Sequence, residues 1–206
     1  MKVELKPSNN KDAYIIKNLY PLYLHDISEF EKALPNRHGI IGESDSVATL
    51  AGQGEVQDNW WKKPEELFPY LIFVNGYPAG FNLIATHPCL PQEIEADFVV
   101  HEFFLSHAYR GKGVAEQAAI EGFDRHKGKW EVVTYPTHSR AISFWRKVLN
   151  NYTRNKFTEK EGEHPWLCDS FRMCYTSCIP TCPNLYAIIR PTTEDRASSR
   201  DNGDCV

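Results

Sequence analysis

The sequence predicts an α/β (α+β) fold, with a mixed, mostly antiparallel central sheet of about six to seven strands and flanking helices. First, Asn75-Gly76 separates two apolar, β-prone runs within residues 69–85, the dipeptide best suited to a tight hairpin turn. Second, residues 96–127 read as a strand, a basic glycine-rich turn and a helix. Val99, Val100, Phe103, Phe104 and Leu105 form the strand, and Val114, Ala118, Ala119, Gly122 and Phe123 recur at helical spacing after it. Third, the strand-then-helix order repeats at once, in Trp130 to Tyr135 and the segment after Ser139.

At 206 residues the chain is long enough for one domain with a sizeable core, and it needs no disulfide staples. No apolar run approaches the roughly 18–20 residues of a membrane span, and MKVELKPSNNK has no signal-peptide core, so a cytoplasmic protein is expected, with no membrane partner. The formal net charge of −4 argues against nucleic acid as the main partner, because backbone phosphates are held by a basic surplus. Four of the six cysteines crowd the C-terminal end, a distribution that fits reduced thiols rather than a disulfide framework.

Along the chain, Lys2 to Lys6 reads as a first strand ended by Pro7. Ser8 or Asn10 can cap a helix in which Ala13, Ile16, Leu19 and Tyr20 keep helical spacing up to Pro21. A second short helix is expected over Leu22 to Leu34, closed by Pro35. Arg37 to Glu66 is polar and glycine-rich and reads as a long loop, with Trp60 and Trp61 as its large apolar anchors. After the hairpin and the central strand-turn-helix, Trp130 to Tyr135 is a strand stopped by Pro136. Ser139 can cap a helix with an apolar face of Ala141, Ile142, Trp145, Val148 and Leu149, ended by Asn150-Asn151. A closing hairpin is expected from about Tyr152 to Glu159 and Leu167 to Tyr175, around Glu161-Gly162-Glu163. The domain is therefore placed at residues 1–175, with 176–206 as a partly disordered extension. Cys174, Cys178 and Cys182 are spaced by four, but Pro180 breaks any common helical face, so no metal site is assigned.

The junction Arg110-Gly111-Lys112-Gly113 has the physics of an anion site. A helix start offers backbone N–H groups without partners and a partial positive charge, the glycines remove Cβ atoms, and the basic side chains attract a polyanion. It is neither G-x-x-x-x-G-K-[ST] nor G-x-G-x-x-G. Arg110-Gly111-Lys112-Gly113-Val114-Ala115 does fit [QR]-x-x-G-x-[GA], and with FFLSHAYRGKG, WEVVTYP and SRAISFWRKVL around it the chain resembles the Gcn5-related N-acetyltransferases (GNAT superfamily) over residues 2 to 175.

That resemblance implies a splayed central strand pair and acetyl-CoA as donor. It places the pyrophosphate on backbone N–H groups of Arg110, Gly111, Lys112, Gly113, Val114 and Ala115, the pantetheine amides along Phe104 and Leu105, and His138, Ser139 and Phe144 beside the thiol. It also admits a homodimer.

For the base, His101 and Glu102 are the ionisable residues within the central strand. Apolar neighbours would raise the pKa of a carboxylate there toward neutrality. Strict alternation sends the two to opposite faces unless a bulge shifts the phase, so the base remains either one. A tyrosine that serves as acid in many similar proteins is replaced here, where the pair is Phe144-Trp145, and an indole is no practical acid. Tyr135, Tyr152 and water are left for that role, or the thiolate departs with no dedicated acid.

The expected activity is acetyl transfer to a primary amine of a small molecule by direct attack in a ternary complex. Asp26, Glu29 and Glu31 tilt the acceptor toward a cation or simply form a wet helix face. A catalytically silent CoA-binding regulatory module and a protein N-terminal or lysine acetyltransferase are the alternatives.

Overall fold

The computed structural model describes residues 1–90, 94–164 and 167–176, with backbone alone over 160–164 and 167–176. Among the described residues, seven strands form one sheet: β1 (Val3–Pro7), β2 (Leu67–Val74), β3 (Tyr77–Thr86), β4 (Phe98–Leu105), β5 (Lys129–Thr134), β6 (Thr158–His164) and β7 (Leu167–Thr176). Their spatial order is β1-β2-β3-β4-β5-β7-β6, and all neighbours are antiparallel except β4 and β5. Asn75 and Gly76 turn the β2–β3 hairpin with φ of 51° and 83°, as the Asn-Gly dipeptide predicts.

The parallel pair decides where a site can form. β4 and β5 are in register only from Phe98 opposite Trp130 to Val100 opposite Val132, after which the two strands part. The expected splay is thus present, and it opens the sheet at its middle. Among the described residues four α-helices flank it: α1 (Ala13–Glu31), α2 (Leu50–Val56), α3 (Val114–Arg125) and α4 (Ser139–Thr153). One core cluster lies toward α3 and α4, centred on Ile72, Ile84, Phe123, Trp130 and Val148. The other lies toward α1, with Ile16, Leu71, Phe81, Leu83 and Val99.

Several expected elements differ. α1 is one helix that runs through Pro21 instead of two that break there. Ile16, Tyr20 and Leu24 are buried at intervals of four on both sides of the proline. Each such side chain is worth roughly 1.5–3 kcal/mol, so the stripe outweighs the about 3 kcal/mol cost of a helical proline. Neither Ser8 nor Asn10 is its cap. Asp12 precedes the helix, and its Oδ1 accepts from the Ser8 hydroxyl at 2.8 Å and the Asn9 N–H at 2.7 Å.

The long loop contains α2, capped by Thr49, and a 3₁₀ turn at Gln57–Trp61. Trp60 is buried in the α1-side core, and Trp61 donates its indole N–H to Ser8 Oγ at 3.2 Å, so the two anchor the segment as expected. α4 continues past Asn150-Asn151 to Thr153, where Arg154 in the left-handed region stops it. His138, not Ser139, is the residue before its first turn. In the closing hairpin, Glu161 and Gly162 pair with Phe171 and Ser170 inside the strands, so the reversal lies further along than expected. The extension from 177 on, including Cys178 and Cys182, lies outside the described residues.

Candidate active site

Opposite β3, Leu83 faces Glu102 while Ile84 faces Val100, which makes His101 the additional residue of a β-bulge. In an unbroken strand Val99 and His101 would share the α1 face and Glu102 would point to α3. The bulge resets the phase. Glu102 Oε1 accepts a hydrogen bond from the Tyr20 hydroxyl of α1 at 2.7 Å, and the His101 ring packs edge-on against Trp60 at 5.3 Å, so both residues reach the α1 side. His101 Nδ1 lies 3.7 Å from Glu102 Oε1. The bulge thus brings together the two residues that alternation would separate.

Glu102 is the unusual group. Its side chain is only 10 % exposed, and its Oε2 is buried without a hydrogen-bond partner in the structure. Burial pushes its carboxyl up to about 8, opposed by the Tyr20 hydrogen bond and reinforced by the negative charge of Glu31. It lines a cavity of about 300 Å³ bounded by α1, β4, β5 and the start of α4. Tyr20, Tyr23, Tyr135 and Trp145 are among its walls, Glu31 is its second carboxylate, and no lysine or arginine stands among the described lining residues.

A second, open groove of about 700 Å³ begins at Arg110 and Gly111, follows Phe103, Phe104 and Leu105 along the parting edge of β4, and is walled by Ala115 and Phe144. The two spaces meet: Tyr23, Ile27, Phe103, His138 and Ala141 line both. Over the junction, the last turn of α1 reaches the β5–α4 connection. Phe30 stacks on His138 with centroids 3.8 Å apart, Glu31 accepts from the Tyr135 hydroxyl, and Glu29 lies 3.8 Å from Arg140. Burial lowers the His138 imidazole below its ordinary 6.5.

At the groove's head, Gly113 immediately precedes α3 with φ 76°, and no side chain caps the helix. Gly111 has φ 72°. A Cβ added at either would meet nothing within 4 Å, so glycine is required here by conformation rather than by crowding of the protein itself. The uncapped N–H groups, the open space above the glycines and the adjoining groove fit a phosphate-bearing cofactor.

The side chains nearby divide differently from expectation. Arg110 N–H is used within the preceding turn, on His107 O, leaving the amides from Gly111 onward. The Arg110 side chain donates to Leu105 O at 2.7 Å and pairs with Asp26 of α1, fastening that helix over β4. Lys112 turns back to Ala108 O at 2.7 Å, and Val114 is buried in the core. Ser139 lines neither space, whereas Ala115, His138 and Phe144 do border the groove. Trp145 is buried against Phe103, as its place in the apolar face of α4 predicts. Sequence reasoning missed Tyr20 and Tyr23, whose only signal was their place on the apolar stripe of the first helix.

No protein-family model matches the sequence, and neither does any curated protein. Solved structures do match. One described as histone acetyltransferase HPA2 and related acetyltransferase, from Corynebacterium glutamicum, superposes with a TM-score of 0.62 at 15% identity, over 88% of this chain and 100% of that one. The fold is that of the GNAT acetyltransferases. The GNAT architecture extends to aminoglycoside acetyltransferase AAC(6')-Ib solved with coenzyme A and kanamycin, at TM-score 0.58 and 19% identity over 85% and 95% of the two chains. It extends also to the PaiA N-acetyltransferase of Thermoplasma acidophilum solved with coenzyme A, at TM-score 0.57 and 12% identity over 85% and 99%.

Proposed function

We propose that the protein is an acetyl-CoA-dependent N-acetyltransferase that acetylates a primary amine of a small cationic molecule by direct attack in a ternary complex. The observation that carries this reading is the meeting of two spaces at β4. A groove headed by an uncapped helix N-terminus joins a small acidic cavity whose wall contains the buried Glu102. Coenzyme A in two solved proteins of the same fold supports the choice of cofactor.

Acetyl-CoA, when bound, supplies the activated acetyl thioester. The amides from Gly111 to Ala115 would hold its pyrophosphate, the parting edge of β4 about Phe104 and Leu105 would run beside the pantetheine, with the Leu105 carbonyl already engaged by Arg110, and His138 and Phe144 would border the thiol end. Glu102 takes the proton of the incoming amine, directly or through one water. A carboxyl that titrates near 8 is largely protonated at neutrality, but an ammonium beside it favours the carboxylate, so a cationic acceptor prepares its own base. His101 Nδ1 stands 3.7 Å from the Oε1 of that carboxylate. Asp26 and Glu29 sit on the groove side and are matched by Arg110 and Arg140, which leaves Glu31 and Glu102 to face the acceptor.

The test is release of free thiol from acetyl-CoA against polyamines, aminoglycosides, amino acids and peptides, with CoA binding followed by calorimetry. Amine-dependent release is expected for one small cationic class. CoA binding without release for any amine would favour a silent regulatory module, to which the tryptophan at position 145 points. Release with peptides alone would favour a protein acetyltransferase.

A further inference from the structure

The expected acid position is occupied by Trp145, which leaves open what protonates the departing sulfur. That sulfur must lie where the cofactor groove and the acceptor cavity meet. Of the described residues lining both, only Tyr23 and His138 carry a dissociable proton. The His138 ring is stacked on Phe30, and burial keeps it neutral at physiological pH, so it has no imidazolium proton to give. Three other tyrosine hydroxyls, on the cavity wall or left open by the sequence, are committed elsewhere. Tyr20 donates to Glu102, Tyr135 to Glu31 and Tyr152 to Asp124. Among the described residues Tyr23 is held only by its ring, edge-on to Phe81 at 5.6 Å and to Phe104 at 6.3 Å and tilted against Tyr20 at 5.6 Å.

We infer that Tyr23, from α1 rather than α4, donates the proton to the leaving thiolate. The inference rests on the acetyltransferase reading above. As the amine nitrogen bonds to the acetyl carbon, the carbon–sulfur bond breaks with its electron pair on sulfur. The acceptor ammonium first loses one proton to solvent by way of Glu102; when the free amine then attacks, Glu102 receives the second nitrogen proton, the Tyr23 O–H gives its proton to sulfur, and the phenolate regains one from Glu102 through water. The products are the amide and the free thiol, and both side chains return to their starting states. Burial and the negative charges of Glu102 and Glu31 raise the Tyr23 phenol far above 10, with the Tyr20 and Tyr135 hydroxyls adding in the same direction. The resting hydroxyl is therefore protonated but a weak acid; once Glu102 has taken the amine proton its charge no longer opposes ionisation, and the phenol gives its proton to the charge developing on sulfur.

Tyr23→Phe is expected to lower kcat for the productive amine roughly 100-fold, within the usual range for general acid catalysis, while KM for acetyl-CoA stays within about twofold. A kcat within twofold of wild type overturns the inference. Because a packed phenylalanine could still disturb α1, 3-fluorotyrosine at position 23 supplies an independent readout. Its ¹⁹F resonance is expected to shift with CoA and not with desulfo-CoA, and equal shifts with both would overturn the assignment. If wild type itself releases no thiol with any amine, the acetyltransferase reading fails instead, and the ¹⁹F comparison still tells whether Tyr23 meets the sulfur.

Discussion

Replacing Glu102 by glutamine keeps a carbonyl oxygen for the Tyr20 hydroxyl and removes the titrating group. In the unfolded chain the carboxyl ionises near 4.5, and in the folded protein near 8. Between those values the native state binds more protons than the unfolded one, so wild-type stability falls as pH rises, at up to about 1.4 kcal/mol per pH unit. Across the window the loss amounts to roughly 4–5 kcal/mol, large against the 5–15 kcal/mol that holds a typical domain together. Glu102→Gln lacks this loss. Urea unfolding at pH 4, 5.5, 7 and 9 is therefore expected to show the stability difference constant at the lowest pH, growing in favour of the variant through the window and level above about 8. A difference independent of pH would refute the claim that burial without a partner for Oε2 sets the chemistry of this carboxylate.

Two glycines make separate predictions. A Cβ at Gly80 would stand 2.0 Å from the Phe104 carbonyl oxygen and 3.0 Å from the Leu105 Cα, both backbone atoms beside the groove. Gly80→Ala is expected to cost at least about 2–3 kcal/mol in denaturant melts, because β3 and β4 must separate, and to weaken CoA binding in calorimetry. At Gly113, φ of 76° with open space around the new Cβ predicts a milder loss for Gly113→Ala, about 1–2 kcal/mol, with no clash to relieve. Reversal of that order would contradict the distinction between crowding and conformation.

Local chemistry made much of this fold legible. Asn75-Gly76 sets its hairpin through backbone preferences of two residues, and the 96–127 segment announces itself by a change of hydrophobic period across a glycine turn. What escaped was decided at long range. Pro21 should end a helix on local grounds, yet the α1 stripe packs onto β3 and carries the helix through. The bulge at His101 depends on how β4 pairs with Leu83 and Ile84, which no spacing in the strand reveals, and on it rests the common orientation of His101 and Glu102. Tyr20 and Tyr23 reach the site from a helix some eighty residues upstream, and in the sequence they are indistinguishable from core aromatics. Arg110 read as a phosphate attractant because its partner Asp26 is distant in sequence.

The most direct test of the central claim is the pH dependence of kcat/KM for amine-dependent thiol release, measured on wild type, Glu102→Gln and His101→Ala. For wild type the rate is expected to rise through about 8 as Glu102 ionises, for Glu102→Gln to fall at least about 100-fold with that limb gone, and for His101→Ala to keep the limb. A Glu102→Gln enzyme that retains both the rate and the limb would contradict the assignment of the base and with it the proposed chemistry of the site.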